Sequence, residues 1–383
     1  MLAIPCLLVL GALSAACQVP GAPPFAVEAA PEWDAVFDTT AGWTGADGIY
    51  AIPLDGDERP GGTARSDTLF LFSDTFIGDV TPGGARENST IINNTLGFLP
   101  AGGFPRGMRF HWDDSGALPA AVFVPTTPQT EAGDWYWLSD GIALGDTVHV
   151  FAMRMRSAPG APGFAFARSG MARIDFPYVP TLDPAAAIQI DTPLAIPERP
   201  GRGPCFWGAG IFANTAAAGA PHPDGYIYVY GIQEDPGNKR LLVARVRPDD
   251  FTDFRAWRYW NGSGWARDPR DAAPQTGRLS NELSVTPLPD GRYALIFQLD
   301  TLAGRTSMKI GDTPFGPWSA KVDLWTAVTP PGIDVFTYNA KAHPHLSDPG
   351  TLLVSYNINA VDFWDHFRYA DIYRPRFFRI TWQ

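Results

Sequence analysis

Apolar positions along the chain recur in short alternating runs, with no sustained helical stripe. Five runs share one form: an apolar-aromatic stretch, usually led by a turn and ended by polar or small residues. They are Asp67-Thr-Leu-Phe-Leu-Phe-Ser-Asp74, Asp146-Thr-Val-His-Val-Phe-Ala152, Asp224-Gly-Tyr-Ile-Tyr-Val-Tyr-Gly231, Asp290-Gly-Arg-Tyr-Ala-Leu-Ile-Phe-Gln298 and Pro349-Gly-Thr-Leu-Leu-Val-Ser-Tyr-Asn357. A second pattern precedes each run, polar or glycine-rich in its first half and apolar after. Its copies are Gly45-Ala-Asp47-Gly-Ile-Tyr, Leu138-Ser-Asp140-Gly-Ile-Ala-Leu, Trp207-Gly-Ala-Gly210-Ile-Phe, Ser280-Asn-Glu282-Leu-Ser-Val and Asn339-Ala-Lys341-Ala-His343-Pro. The copies lie roughly 60 to 80 residues apart, too far for a solenoid repeat and right for a four-stranded blade with loops. The pattern predicts an all-β five-bladed β-propeller. The innermost strand of each blade lines a central channel and is polar there; the next strand is buried between blades and is apolar. A β-sandwich would not repeat a polar segment ahead of every strong strand. The final run, Arg376 to Trp382, reads as a strand that closes the ring together with the segment near Trp33 to Phe37.

Composition agrees with many short strands: 39 Gly and 37 Pro in 383 residues, without a collagen-like period. The 13 Trp, 12 Tyr and 24 Phe suit sheet faces and also offer flat surfaces to sugar rings. A net charge of −11 without a basic stripe excludes nucleic acid as a natural partner.

Residues 1–16 carry no charge, contain the short apolar run Leu7-Leu8-Val9-Leu10 and end in Leu13-Ser-Ala-Ala16 before Cys17. The run is too short to span a bilayer and reads as an export signal. Small residues before a cysteine resemble a bacterial lipobox, which makes Cys17 the lipidated N-terminus of a membrane-anchored envelope protein. The alternative is an ordinary signal peptide cut nearby. Residues 17–32 read as a flexible tether and residues 33–383 as one monomeric propeller domain. Only Cys205 then remains in the mature domain, so no internal disulfide can form, and Cys205 beside Phe206 and Trp207 reads as a small buried hydrophobe.

The chain resembles the bacterial five-bladed propellers grouped as DUF4185 and DUF5005. The resemblance rests on Asp47-Gly-Ile-Tyr followed by Leu71-Phe-Ser-Asp74-Thr75, on Trp207-Gly-Ala-Gly210 with Tyr226-Ile-Tyr-Val-Tyr-Gly231, on Ala256-Trp-Arg-Tyr-Trp260 with Gly264-Trp265, and on Ala340-Lys-Ala-His343-Pro. It covers nearly everything after Pro31. The DUF4185 group includes endo-D-arabinanases, in which two aspartates of the first blade carry the chemistry. The resemblance implies glycoside hydrolysis of a furanose-containing polysaccharide, with Asp47 and Asp74 as those aspartates. The loop from Asp55 to Ser66 looks long, so the cleft is expected to differ on its side.

Glycoside hydrolysis needs two carboxyl groups across the scissile bond. Asp47 and Asp74, on neighbouring antiparallel strands, are expected at one end of one sheet, with separated pKa values. Asp140 occupies the same blade position as Asp47 and reads as a hydroxyl ligand or pKa modulator. Glu282, after Asn281, is the competing general acid or a channel partner of Lys341. Further candidates for binding sugar are Asn281, Lys341, His343, Asn93 and Asn94, with Trp135, Trp137 and Trp207 as stacking platforms. For each, a structural role competes: Asp before Gly is a common turn, and buried Trp is commonly core. No zinc, calcium or phosphate motif is evident, so no metal or cofactor is expected. Arginine-triad and Asp-box signatures of sialidases are absent. A non-catalytic glycan-binding lipoprotein is the alternative from another class.

Overall fold

A computed structural model describes residues 23–158 and 166–383; the expected signal peptide and Cys17 lie outside these residues. The described residues are all-β, with six sheets and helical turns of at most four residues. No helix among them is long and apolar enough to cross a membrane.

Five sheets are antiparallel, and each contains one of the predicted two-strand patterns. Their inner strands are Tyr50–Pro53, Trp135–Leu144, Cys205–Asn214, Leu283–Pro287 and Val335–His343. The strands paired to them are Thr68–Phe72, Thr147–Ser157, Tyr226–Asp235, Tyr293–Gln298 and Thr351–Ala360, the five apolar runs of the sequence. Two of these, Thr68–Phe72 and Tyr293–Gln298, are buried at every position, as expected of strands covered on both faces. The inner strands neighbour one another in chain order. The fifth returns to the first: Lys341 Nζ donates to the Gly48 carbonyl (2.7 Å) and Asn357 Nδ2 to the Ala46 carbonyl (3.0 Å).

The polar half of each inner pattern has a structural meaning. Pairing with the second strand breaks opposite Phe151, where Ser139 and Asp140 are extra; between Trp207 and Gly210; and between Tyr338 and Lys341. The first repeat has the same interruption at Gly48-Ile49, between the Asp47–Ser73 backbone bond (2.9 Å) and the Tyr50–Leu71 pair. Bulges re-aim side chains away from the ladder. Four of the five repeats thus bend their inner strand at the position where the sequence turns from polar to apolar.

In the first repeat the chain continues past this corner. Ala41–Ala46, Thr75–Val80 and Arg86–Ile92 form a separate three-stranded sheet, and the strands Tyr50–Pro53, Thr68–Phe72 and Thr95–Leu99 follow in the four-stranded one. Asp47, Asp74 and Asn93 sit where the three passes cross from sheet to sheet.

Three expectations need correction. The closing strand is Phe25–Ala29, paired with Pro375–Trp382 so that Phe25 faces Trp382. Residues 33–37 instead belong to helical turns, Pro31–Asp34 and Ala35–Phe37, that bury Trp33 and Phe37 against Phe377. The tether therefore stops short of residue 25, since Phe25 is buried in the core of the last sheet. The loop from Asp55 to Ser66 lies at the end of the channel opposite Asp47. It joins the end of one strand to the start of the next, and it docks through Glu58 N on the Ala218 carbonyl (3.1 Å) and Gly61 N on the Ser347 carbonyl (2.6 Å). A 380 Å³ cavity fills that end, bordered by Glu58, Asp140, Ile211, Ser284 and Lys341.

Because Phe25 ties the first described strand to the last, Phe25→Ala is expected to cost about 3 kcal/mol in urea unfolding. A loss below about 1 kcal/mol would show that this closure contributes little.

Candidate functional site

The site forms at the corner of the first repeat. Asp47 N donates to the Asp74 carbonyl (3.2 Å), and Ser73 N to the Asp47 carbonyl (2.9 Å), so both aspartates leave the sheet at one point. Glycine makes the crossing possible. Gly48 has φ +92°, and a Cβ there would meet Ser73 N at 2.8 Å. A Cβ on Gly45 would meet the Tyr373 carbonyl at 2.7 Å. Three non-glycine residues around the site also hold positive φ: Ile49 (31°), Asn339 (61°) and Tyr373 (75°). Strained backbone of this kind persists where the surroundings fix it, and it clusters at functional sites.

Asp47 is held asymmetrically. Its Oδ2 accepts from the hydroxyls of Tyr338 (2.8 Å) and Tyr373 (2.9 Å). Its Oδ1 is buried and has no hydrogen-bond partner. Burial and, next, the charge of Asp74 push its pKa up to about 7, against the pull of the two tyrosines. Asp74 Oδ1 accepts from Trp137 Nε1 (2.8 Å) and Asn93 Nδ2 (3.2 Å), and burial raises its pKa to about 6. Two carboxyl groups that repel each other in a desolvated corner titrate as a pair, both above the usual carboxylate range.

The next inner strands add a charged layer. Burial raises Glu282, opposed by Lys341 and Lys239. The Asn339 amide, in the orientation that satisfies its neighbours, donates to both Glu282 oxygens (2.6 and 3.1 Å). Lys341 is buried over the Tyr50 ring (4.3 Å), and burial lowers its pKa to about 8. Asp140 is raised to about 7 by burial; its oxygens accept from Gly141 N (2.9 Å) and Ile211 N (2.6 Å), stitching the second inner strand to the third. Asn281 Oδ1 accepts from Lys239 Nζ (2.5 Å).

The structure therefore brings Asp47, Asp74, Glu282, Lys341 and Asp140 into one electrostatic cluster, with Asn281 at its border. Asn93 and Trp137 reach it through Asp74, whereas Asn94, Trp207 and His343 are committed elsewhere. Asn94 is fully buried, its amide committed to the backbone of Phe123 and Tyr136. Neighbours on an extended chain point to opposite sides, so Asn93 reaches Asp74 and Asn94 cannot. Trp207 has no exposed surface and packs edge-on against Tyr259 (5.2 Å), leaving no face for a sugar. His343 bonds Ser355 Oγ (2.7 Å) within its own sheet, and burial holds its pKa well below the usual range. Trp137 is the tryptophan that reaches the carboxylates, with Phe166 edge-on beside it (4.7 Å).

Sequence reasoning missed the partners of Asp47. Tyr338 lies one residue before the recognised Asn339-Ala-Lys341 segment. Tyr373 lies between the short helix Asp365–Arg368 and the last strand, outside any repeat. Arg86 fixes that segment. Its guanidinium donates to the carbonyls of His366 (2.5 Å), Ala370 (2.9 Å) and Ile372 (3.0 Å), and to Thr44 Oγ1 (3.2 Å), and lies over the Phe76 ring (4.5 Å).

A carboxyl whose pKa is raised by folding opposes folding once it ionises. The folded state binds more protons than the unfolded one between about pH 4 and pH 6 at Asp74, so stability falls as pH rises through that window. Asp74→Asn keeps the Oδ1 acceptor and removes the charge. The variant is expected to match the wild type near pH 4 and to be roughly 1–3 kcal/mol more stable at pH 8 in urea unfolding. A variant less stable than wild type at pH 8 would contradict this.

Residues 31–382 match the family described as a domain of unknown function, DUF5005. No curated protein matches the chain significantly in sequence. Among solved structures, a proposed hydrolase from Bacteroides ovatus ATCC 8483 superposes with a TM-score of 0.68 at 17% identity, over 93% of this chain and 90% of that one, and shares the all-β fold. Looser likenesses are the α-L-arabinofuranosidase from Podospora anserina in complex with cellotriose (TM-score 0.45, 11% identity, 91% and 98% covered) and the GH43_1 enzyme from Xanthomonas citri complexed with xylose (TM-score 0.47, 12% identity, 91% and 92% covered). With its match running through nearly all the described residues, the chain belongs to the DUF5005 family.

Proposed function

We propose that this protein is a five-bladed β-propeller glycoside hydrolase, exported and anchored to the cell envelope through lipidated Cys17. Its substrate is a furanose-containing, arabinan-like polysaccharide, cut at the corner held by Asp47 and Asp74. The supporting observation is the state of Asp47: one carboxyl oxygen fixed by two tyrosine hydroxyls, the other buried without a partner, and a second carboxyl alongside. A carboxyl that serves only structure has both oxygens satisfied, as Asp140 has.

The chemistry follows from how protons distribute over the pair. Asp47, the more strongly raised, carries the proton near neutral pH and protonates the leaving oxygen. Asp74, steadied as an anion by Trp137 and Asn93, activates water or attacks the anomeric carbon. Glu282 and Lys341 set the field behind them, with Glu282 the competing acid. Trp137 and the partly exposed Phe166 offer an apolar face beside the carboxylates for a sugar ring. The choice of furanose rests on the likeness of the Asp47 and Asp74 segments to those of arabinanases. The same aromatic face also suits the second reading, a surface lipoprotein that captures glycan without cutting it.

The test is to incubate residues 18–383 with arabinans, other furanosides and neutral polysaccharides and to size the products. Wild type is expected to shorten a furanoside, with a loss of at least 10³-fold in Asp47→Asn and in Asp74→Asn. Binding without product in all three proteins refutes the hydrolase and favours capture. Cleavage that survives both changes and disappears in Glu282→Gln moves the acid to the fourth inner strand.

A further inference from the structure

Behind Asp47 runs a part-buried chain of hydrogen bonds that leads to the buried His366. Tyr338 Oη lies 2.8 Å from Asp47 Oδ2 and 3.1 Å from Asn359 Nδ2. Asn359 Oδ1 lies 2.7 Å from His366 Nε2. The other ring nitrogen, Nδ1, lies 2.8 Å from the Phe363 carbonyl. His366 is buried, stacked on Phe76 (5.8 Å) and edge-on to Tyr373 (5.2 Å).

Counting donors and acceptors restricts the protons on this chain. A carbonyl only accepts, so His366 Nδ1 carries hydrogen throughout. With Asp47 ionised, Tyr338 donates to Oδ2, and its oxygen accepts from the Asn359 amide nitrogen. Asn359 Oδ1 then faces His366 Nε2, which must also carry hydrogen, making the ring a cation. With the proton on Asp47 Oδ2, the order reverses. Asp47 donates to Tyr338, Tyr338 donates to Asn359 Oδ1, and the turned amide donates to Nε2 of a neutral ring. The Ala360 N–H, 3.4 Å from Nε2, fits the neutral ring. Mixed arrangements leave two acceptors or two donors facing each other in a part-buried contact, which is unfavourable.

We propose that His366 is a positioning residue for Asp47: through Asn359 and Tyr338 it ties its own charge to that of the carboxyl, so that one proton resides on Asp47 or on the ring. Burial raises the carboxyl and lowers the imidazole, so the ordinary preference of the proton for the ring is lost. The charges facing the ring are Asp362, Asp365 and Arg368 on its own turn and Arg86 from the strand Arg86–Ile92, with Tyr373 beside it. None of them bonds the ring nitrogens, so the Asn359 contact is left to govern Nε2. In a hydrolase Asp47 gives up its proton while the ring is neutral, and a proton taken up from water by the ring would then restore Asp47 along this chain. The tie itself rests on geometry, and only its catalytic use rests on the function proposed above.

The test is the pH titration of the His366 ring nitrogens by 15N NMR in the folded domain. Asp47→Asn removes the ionisable end, and Tyr338→Phe cuts the chain while keeping the ring. Each is expected to shift the His366 midpoint down by about one pH unit. Tyr373→Phe removes the other hydroxyl from the same oxygen without touching the chain, and it is expected to leave the midpoint within about 0.3 unit. Equal midpoints in wild type, Asp47→Asn and Tyr338→Phe overturn the proposal, as does a Tyr373→Phe shift as large as that of Tyr338→Phe. If His366 responds as expected and no polysaccharide is cut, the relay stands and the hydrolase does not.

Discussion

Two carboxyl groups buried together at a chain crossing are costly, and much of the surrounding structure exists to hold them. Asp47 and Asp74 cannot both ionise in a desolvated corner without partners, and among the described residues neither has an arginine or lysine in salt-bridge contact. They are held instead by neutral donors: two tyrosine hydroxyls on one, an indole and an amide on the other. Neutral donors keep the charge in reach of titration near pH 7, where a bound arginine would lock it. The strained residues Asn339 and Tyr373, the glycines at 45 and 48, and the buried Arg86 all serve to bring these donors in.

The ring supplies the rigidity this needs. Each inner strand is pinned between its neighbours and its own second strand, and in four of the five repeats an interruption of the pairing bends it. Lys341 links the fifth inner strand to the first through the Gly48 carbonyl, one residue from Asp47. Closure of the ring through Phe25–Ala29 and Pro375–Trp382 is therefore mechanically connected to the site: Tyr373 lies just before Pro375–Trp382.

Much of this architecture was legible in the sequence because it repeats. Apolar-aromatic runs led by turns are local signals, and five copies at similar spacing restrict the topology. The carboxylates were legible as polar residues at matching points of the repeat. The direction of a connection can also be deduced: the loop from Asp55 to Ser66 joins a strand end to a strand start, so it had to lie away from Asp47. The alternation that separates Asn93 from Asn94 is a similar local rule. Tyr373 and His366 were not legible. They come from an insertion without a counterpart in the other repeats, and only the fold brings that segment back across Gly45. Trp207 misled because nothing local separates a tryptophan that packs from one that stacks on a ligand.

The pH dependence of polysaccharide cleavage by the wild-type domain tests the central claim most directly. A carboxyl pair that shares one proton predicts a bell-shaped rate profile, with limbs set by the values of about 6 and about 7 at Asp74 and Asp47. A rate that stays level between pH 5 and pH 8 would mean that neither carboxyl changes its proton in the reaction, and it would contradict the account.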